Sequence, residues 1–232
     1  GSAPLRWLEA PAIAAGAISD PTSISNSSLE PEKSPTVELG TKWEVFDNRL
    51  TLTGALFHDI RKNTSVAVSA TEVAQVGEAK VQGIELGFSG SITPKWNVFG
   101  GYTFMDSEMT EGAYNSGAVG QDLPNTPRNA FSLWTTYKVL PKLTVGGGAY
   151  YVDKVYANSD ATKNANGTPK ARWVPSYWRF DAMAGYEFND HFSAQLNVLN
   201  IFDETYYTKA YAAHYAALGA GRAALLSLRL RY

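Results

Sequence analysis

Nine stretches of this 232-residue chain alternate apolar and polar side chains over about ten residues or more. The last of them, AALLSLRLRY, places Leu226, Leu228 and Leu230 on one side and Ser227 and Arg229 on the other. A period of two residues is the pattern of a β-strand whose two faces meet different surroundings. These stretches are about twice as long as the usual strand of a globular protein. The pattern therefore predicts an all-β protein with unusually long strands.

The connections between these stretches alternate in length. The predicted strands are 34–46, 49–61, 79–92, 96–109, 128–139, 143–156, 177–188, 191–202 and 223–232. Tight turns at 47–48, 93–95, 140–142 and 189–190 alternate with long polar stretches at 62–78, 110–127, 157–176 and 203–222. In an antiparallel sheet this order collects every long loop at one end. Barrels of the bacterial outer membrane have this asymmetry, with short periplasmic turns and long extracellular loops.

Hydropathy does not argue against a membrane, because lipid-facing and lumen-facing residues of membrane strands alternate and average out. The mean hydropathy is -0.22, and no apolar run approaches the roughly 18 residues of a membrane helix. Aromatic residues lie near the ends of the apolar faces, as interfacial girdles do; they include Trp43, Phe46, Trp96, Tyr177, Trp178 and Phe188. We predict a transmembrane antiparallel β-barrel of the outer-membrane type; a soluble β-sandwich is the alternative.

Several segments carry a more specific signal. LEPEKSPTVELGTKWEVFDNRLTLTGALF, VQGIELGFSGSITPKWNVFGGYTFMDS, NTPRNAFSLWTTY and NVLNIFDETYYTKAY resemble the C-terminal barrel region of TonB-dependent siderophore receptors. The resemblance runs from about Leu29 to Tyr232, and SLWTTY and GGGAYYVDK resemble the ferric-catecholate branch. It implies a 22-stranded barrel in the outer membrane of a Gram-negative bacterium. It also implies import of ferric siderophores, energised by TonB through an N-terminal plug and TonB box that this sequence does not contain.

The number of predicted strands, nine, also indicates that they are part of a larger barrel. Single-chain bacterial barrels have an even number of strands, and an open sheet in lipid leaves unpaired groups that cost several kcal/mol each. We therefore expect residues 34–232 to form the last nine or so strands of the larger barrel. Residues 1–33, with scattered Pro, Ser and Asn, are expected to be an extracellular loop segment.

Other functions find little support in the sequence. The chain has no cysteine, and its three histidines, His58, His191 and His214, have no second imidazole or carboxylate cluster at ligand spacing, so we expect no metal site and no cofactor. No Ser, His and Asp stand in a nucleophile-elbow context, which argues against an enzyme. The net charge of -2 does not favour nucleic acid as a partner. A passive porin remains the alternative function.

The resemblance also implies a ligand surface. A ferric catecholate complex is anionic and aromatic, so Arg or Lys and Tyr or Trp complement it. The long loops supply such residues: Tyr114, Lys170, Arg172, Trp173, Tyr206, Tyr207, Lys209, Tyr211, His214 and Tyr215. Arg172 and Tyr211 are the first candidates. The alternative is that these side chains pack on one another and on lipopolysaccharide.

The end of the chain predicts how the barrel is assembled. Leu228, Leu230 and the terminal Tyr232 resemble the C-terminal signal that the barrel-assembly machinery recognises. In that interpretation the leucine row faces outer-membrane lipid, and Ser227 and Arg229 face the hydrated lumen or the plug.

Overall fold

The computed structural model of the chain describes residues 30–68, 73–160, 162–163, 165, 167, 170–211 and 215–232. Within these ranges the chain forms β-strands, turns and loops, and no helix long and apolar enough to cross a membrane is present. The strands are β1 (Thr36–Val45), β2 (Leu50–Ala67), β3 (Val73–Thr93), β4 (Trp96–Glu111), β5 (Asn129–Leu140), β6 (Leu143–Val152), β7 (Val155–Tyr156), β8 (Trp173–Val174), β9 (Tyr177–Glu187), β10 (Phe192–Leu199), β11 (Tyr207–Tyr211), β12 (Tyr215–Leu218) and β13 (Ala223–Leu230). The all-β prediction is confirmed.

Nine long strands form one antiparallel sheet in the order β1-β2-β3-β4-β5-β6-β9-β10-β13. These nine are the strands that the alternation predicted, although individual ends differ. Two small two-stranded sheets, β7–β8 and β11–β12, were not predicted; they lie within the last two long connections. Among the described residues, β1 pairs only with β2 and β13 only with β10, so the sheet has two edges.

The register gives the sheet one apolar and one polar face, because residues directly opposite each other in an antiparallel pair share a face. One continuous row is apolar and partly exposed: Leu39, Leu56, Ile84 and Phe104. A row on the other face contains Lys42, Thr53, Gly87, Gly101 and Ser132. Side chains of opposite character therefore separate across the sheet as the period of two predicts.

Aromatic rings mark both ends of the apolar face. Near the short turns, the Phe188 ring lies 4.9 Å from the rings of both Tyr186 and Phe192. Near the long loops, the Trp178 ring lies 5.0 Å from that of Tyr151. Trp178 and Tyr186 are eight positions apart on β9, which is about 26 Å along a strand that rises about 3.3 Å per residue. This spacing is comparable to the roughly 25 Å apolar band of outer-membrane barrels.

The predicted long loop at 62–78 is wrong. β2 continues to Ala67 and β3 starts at Val73, so only residues 68–72 connect them. The pairing shifts register between Arg61 and Thr64, where Asn63 has a φ of 63°. This irregularity changes which side chains face outward, so the period of two is interrupted in the sequence although the strand continues.

The β2–β3 hairpin extends beyond the apolar face. On the face that carries the apolar row, His58 is the next residue after Leu56 toward the long loops, and its Nδ1 lies 3.3 Å from the Gln82 Oε1. One row further, the Lys80 ammonium pairs with the Glu108 carboxylate at 2.7 Å. Charged pairs of this kind are placed in water or among headgroups, so the outer part of the hairpin stands above the hydrocarbon layer.

Candidate functional site

Three long connections lie at the end of the sheet opposite the short turns. They are 112–128 between β4 and β5, 153–176 between β6 and β9, and 200–222 between β10 and β13. All the candidate ligand residues named above lie in these connections or in the small sheets within them. The structure therefore collects those candidates that it describes at one end of the sheet.

Asn200 closes the base of the 200–222 connection. Its side-chain Nδ2 donates to the carbonyl oxygens of Glu204 at 2.9 Å and Ala220 at 3.1 Å, and its Oδ1 accepts from the Glu204 N–H at 3.0 Å. Its own N–H donates to the Asp181 carboxylate at 2.9 Å. The residue is 1% exposed and has a φ of 51°, which Asn tolerates better than most residues. Asn200, the second Asn of the segment NVLNIFDETYYTKAY, thus holds both ends of the loop together.

The β11–β12 hairpin has two different faces. Ala210 is buried and Ala216 packs beside it, whereas Lys209, Tyr211 and Tyr215 lie on the opposite face. Tyr211 and Tyr215 are paired across the hairpin and stack with their rings 4.9 Å apart, and the Lys209 ammonium lies 5.0 Å from the Tyr211 ring. The exposed fractions are 37% for Tyr211 and 68% for Tyr215. Lys209 is half-buried beside these two exposed rings. The three predicted residues therefore form one group, called here the tyrosine pair surface.

The β7–β8 hairpin repeats this arrangement. Val155 and Val174 are buried together with Ala210, whereas Tyr156 and Trp173 lie on the opposite face. The Lys154 ammonium lies 5.2 Å from the Tyr156 ring, and its hydrogen bond with Tyr156 raises the pKa of Lys154. Trp173 is 58% exposed. Because the two hairpins share one buried cluster, their aromatic faces both point away from it.

Tyr156 was missed from the sequence, although a signal for it exists. Lys154, Val155 and Tyr156 repeat the Lys-x-Tyr spacing of Lys209, Ala210 and Tyr211. In both hairpins the middle residue is buried and the flanking cation and ring share the other face. The spacing was hidden because the alternation of 143–156 predicted a single uninterrupted strand.

The 153–176 connection is the most cationic of the three. Its charged residues are Lys154, Lys163, Lys170, Arg172, Asp153 and Asp160, so four positive and two negative charges give +2. Hydrogen bonds from the Thr162 hydroxyl and N–H lower the pKa of Asp160. Lys170 and Arg172 are exposed, and the Arg172 guanidinium forms no ion pair with any residue that the structure describes. This segment can attract an anion.

Tyr206 and Tyr207 were expected on a loop surface that faces the ligand, but in the structure their side chains pack against other residues. Tyr206 is 4% exposed, and its ring lies 4.5 Å from that of Tyr177. Tyr207 packs against the shared buried cluster, because the register shift between Tyr207 and Lys209 turns it to the packed face. Both side chains contribute to packing, which argues against direct ligand contact by Tyr206 in this conformation.

The remaining two candidates are Tyr114 and His214. Tyr114 is exposed in the 112–128 connection, where its N–H donates to the Ala67 carbonyl at 2.7 Å and fastens the loop to the end of β2. His214 lies outside the described residues. The structure therefore groups Lys209 with Tyr211 and Tyr215, but it does not bring all ten predicted residues together.

The last strand has the predicted faces. Leu228 lies opposite Ala194 and Leu230 opposite Phe192 in the outward rows, whereas Arg229 lies opposite Ser193 on the polar side. Leu228, Leu230 and Tyr232 are exposed. Recognition of these residues during assembly stays a prediction.

Long antiparallel strands, one apolar face bounded by aromatic rings, and long loops at one end define the wall of an outer-membrane β-barrel. The chain belongs to the family described as "TonB dependent receptor-like, beta-barrel", whose family model matches residues 8–201. As a member of this family it is an outer-membrane protein of a Gram-negative bacterium. Membership confirms the resemblance seen in the sequence and favours a receptor over a passive porin or a soluble sandwich.

Named relatives agree with this assignment. The chain is 55% identical over 95% of its length to the probable TonB-dependent receptor BfrD of Bordetella pertussis, and 38% identical over 79% of its length to the catecholate siderophore receptor Fiu of Escherichia coli. It spans 30% and 24% of those proteins. The crystal structure of the siderophore receptor PiuA from Acinetobacter baumannii matches with a TM-score of 0.81 at 47% identity, over 91% of this chain and 30% of that one. The closed form of Fiu matches with a TM-score of 0.80 at 35% identity, over 94% and 30%.

Proposed function

We propose that a receptor built with this sheet imports ferric siderophores of the catecholate type across the outer membrane, energised by TonB through a part outside this sequence. The observation that carries the proposal is the tyrosine pair surface, where the half-buried Lys209 and the exposed Tyr211 and Tyr215 form a cationic and aromatic group in a TonB-dependent receptor. The names of Fiu, a catecholate siderophore receptor, and of PiuA, a siderophore receptor, support it.

The chemistry of the group suits an anionic catecholate. Flat catechol rings can stack on tyrosine rings, and an aromatic pair contributes about 0.5–1.5 kcal/mol beyond its buried area. The oxygens that chelate iron carry negative charge, and a hydrogen bond to a charged group contributes about 1.5–3 kcal/mol. The Lys209 ammonium and the Arg172 guanidinium are available as donors. Iron enters as part of the ligand, so recognition depends on the chelator and not on metal ligands from the protein.

The test uses the intact receptor with Tyr211→Ala and Arg172→Ala. Each should weaken binding of a ferric tris-catecholate by about tenfold or more, and slow its uptake, without lowering the amount of receptor at the cell surface. Lys95→Ala is the control, because it removes a cation at the short-turn end of the sheet, beside Trp96. Binding and uptake that are unchanged in both variants would move the recognition site to other parts of the receptor. Uptake that persists without TonB would contradict the energised mechanism.

The division of the chain follows from the same proposal. Residues 34–232 would form the C-terminal part of the barrel wall, and residues 1–33 would belong to an extracellular loop leading into it; of the latter, residues 1–29 lie outside the described residues. The apolar face would contact outer-membrane lipid, and the outer ends of the strands lipopolysaccharide. Leu228, Leu230 and Tyr232 would be read by the barrel-assembly machinery.

A further inference from the structure

Asn125 joins two connections that are far apart in the sequence. Its side-chain Oδ1 accepts from the Ala210 N–H at 2.8 Å, and its Nδ2 donates to the Ala210 carbonyl oxygen at 2.9 Å. The two residues are 85 positions apart. Ala210 lies between Lys209 and Tyr211, so this pair of bonds holds the centre of the strand that carries the tyrosine pair surface.

The main chain of Asn125 reaches the other hairpin. Its N–H donates to the Tyr156 carbonyl oxygen at 2.8 Å, and Tyr156 belongs to β7. A second bond joins the same two connections, from the Ser159 hydroxyl to the Asp122 carbonyl oxygen at 2.7 Å. The 112–128 connection is therefore bonded to both hairpins, and Asn125 itself bonds to both.

The residue type explains why this position can serve two strands. A side-chain amide carries both a donor and an acceptor, so it can pair with a residue's N–H and C=O as a neighbouring strand would. Asn125 also has a φ of 53°, a left-handed conformation that Asn adopts more readily than most residues. Pro124 and Pro127 flank it and restrict the backbone on both sides.

We propose that Asn125 is a positioning residue, which fixes the tyrosine pair surface relative to the β7–β8 hairpin and thereby sets the affinity for the ligand. The coupling of the hairpins stands on the hydrogen bonds alone. Its effect on affinity rests on the proposed function, in which Tyr211 contacts the ligand. Asn125 itself acts through Ala210 and need not touch the ligand.

Two variants separate the side-chain bonds from the backbone conformation. Asn125→Gly tolerates the φ of 53° and removes both bonds to Ala210. Asn125→Asp keeps the acceptor and loses the donor to the Ala210 carbonyl oxygen. Asn115→Gly is the matched control, because Asn115 lies in the same connection with a φ of 55° and has no hydrogen bond to either hairpin among the described residues.

The first measurement is amide hydrogen exchange of the intact receptor without ligand. Asn125→Gly should raise the opening equilibrium of the β11–β12 hairpin by about 5- to 150-fold, the equivalent of two ordinary hydrogen bonds. Asn125→Asp should give a smaller increase, and Asn115→Gly should leave the hairpin as in the parent. Exchange that is unchanged in Asn125→Gly, or equally raised in Asn115→Gly, overturns the coupling whatever the ligand is.

The second measurement is a double-mutant cycle on the affinity for a synthetic ferric tris-catecholate. Asn125→Gly should weaken binding in the parent, but it should add little when Tyr211 is already Ala, because its effect passes through the tyrosine pair. Additive losses would mean general loosening of the loops and would overturn the positioning role. If Tyr211→Ala alone leaves the affinity unchanged, the proposed ligand surface fails, and the exchange result still decides the coupling.

Discussion

The centre of β10 offers a direct test of which face of the sheet meets lipid. Leu196 is 44% exposed and lies in an outward row between Ala184 on β9 and Leu226 on β13. The preceding residue, Gln195, belongs to the polar face and lies opposite Ser227. Both positions have the same two neighbouring strands. Leu196→Arg and Gln195→Arg therefore differ in the face that receives the charge and hardly at all in their place along the strand.

The expected difference follows from the environment of each guanidinium. Arg on the lipid face near the middle of the bilayer costs about 2–4 kcal/mol, a factor of roughly 30 to 700 in the folding equilibrium. In Gln195→Arg the charge enters the hydrated interior, and the main loss is the exposed Gln195 Nε2 to Asn197 Oδ1 bond of 2.9 Å. That bond belongs near the lower end of the roughly 0.5–1.5 kcal/mol range. Leu196→Arg should thus be less stable than Gln195→Arg by about 1.5–3.5 kcal/mol.

The assay is equilibrium unfolding of the intact receptor from phospholipid vesicles in urea, followed by tryptophan fluorescence. The amount of folded receptor in the outer membrane of cells gives a second measurement. Leu196→Arg should lose stability and surface level, and Gln195→Arg should stay close to the parent. Equal destabilisation of the two variants, or a larger loss in Gln195→Arg, would refute the assignment of the faces.

Three further predictions test particular contacts. Asn200→Gly keeps the φ of 51° but removes three side-chain hydrogen bonds, so the loop that follows should open more easily by about 1.5–4.5 kcal/mol; unchanged amide exchange would contradict this. Gly219→Ala puts a Cβ 2.2 Å from the Tyr206 ring and should lower the Tm. Gly221→Ala is the control, because the nearest atom to a Cβ there is 3.4 Å away; equal Tm values of the two variants would argue against this contact. Deleting Tyr232 should reduce insertion in cells but hardly affect refolding in detergent; normal assembly would remove it from the signal.

The sheet was predictable because each strand separates two different media. Leu56 and Ile84 lie opposite each other on the apolar face, and Thr53 and Gly87 lie opposite each other on the polar face. Lipid on one side and water on the other select side chains at every second position, so the signal persists over a whole strand. Strand identity and face could be read for this reason without any knowledge of the partner strand.

The loop end could not be predicted in the same way. β7 and β8 have two residues each, which is too few for a period to be visible. Their pairing brings Val155 to Val174 across a long intervening segment, and Asn125 meets Ala210 across 85 positions. Local sequence carries no signal for such pairings, because they depend on which connections the sheet places side by side. The register irregularity near Asn63 hid the outer half of the β2–β3 hairpin for a related reason.

Residue type alone therefore does not identify the ligand surface at this end of the protein. Tyr206, Tyr207, Tyr211 and Tyr215 belong to one short segment, and their composition is equally suited to a catecholate. Tyr206 is buried beside Tyr177 of β9 and Gly219, and Tyr207 packs on the shared cluster, whereas the pairing of β11 with β12 leaves the other two exposed. The side chains available to a ligand are those that packing does not use. It follows that a change in the bonds holding the hairpins can alter recognition as effectively as a change in the tyrosines themselves.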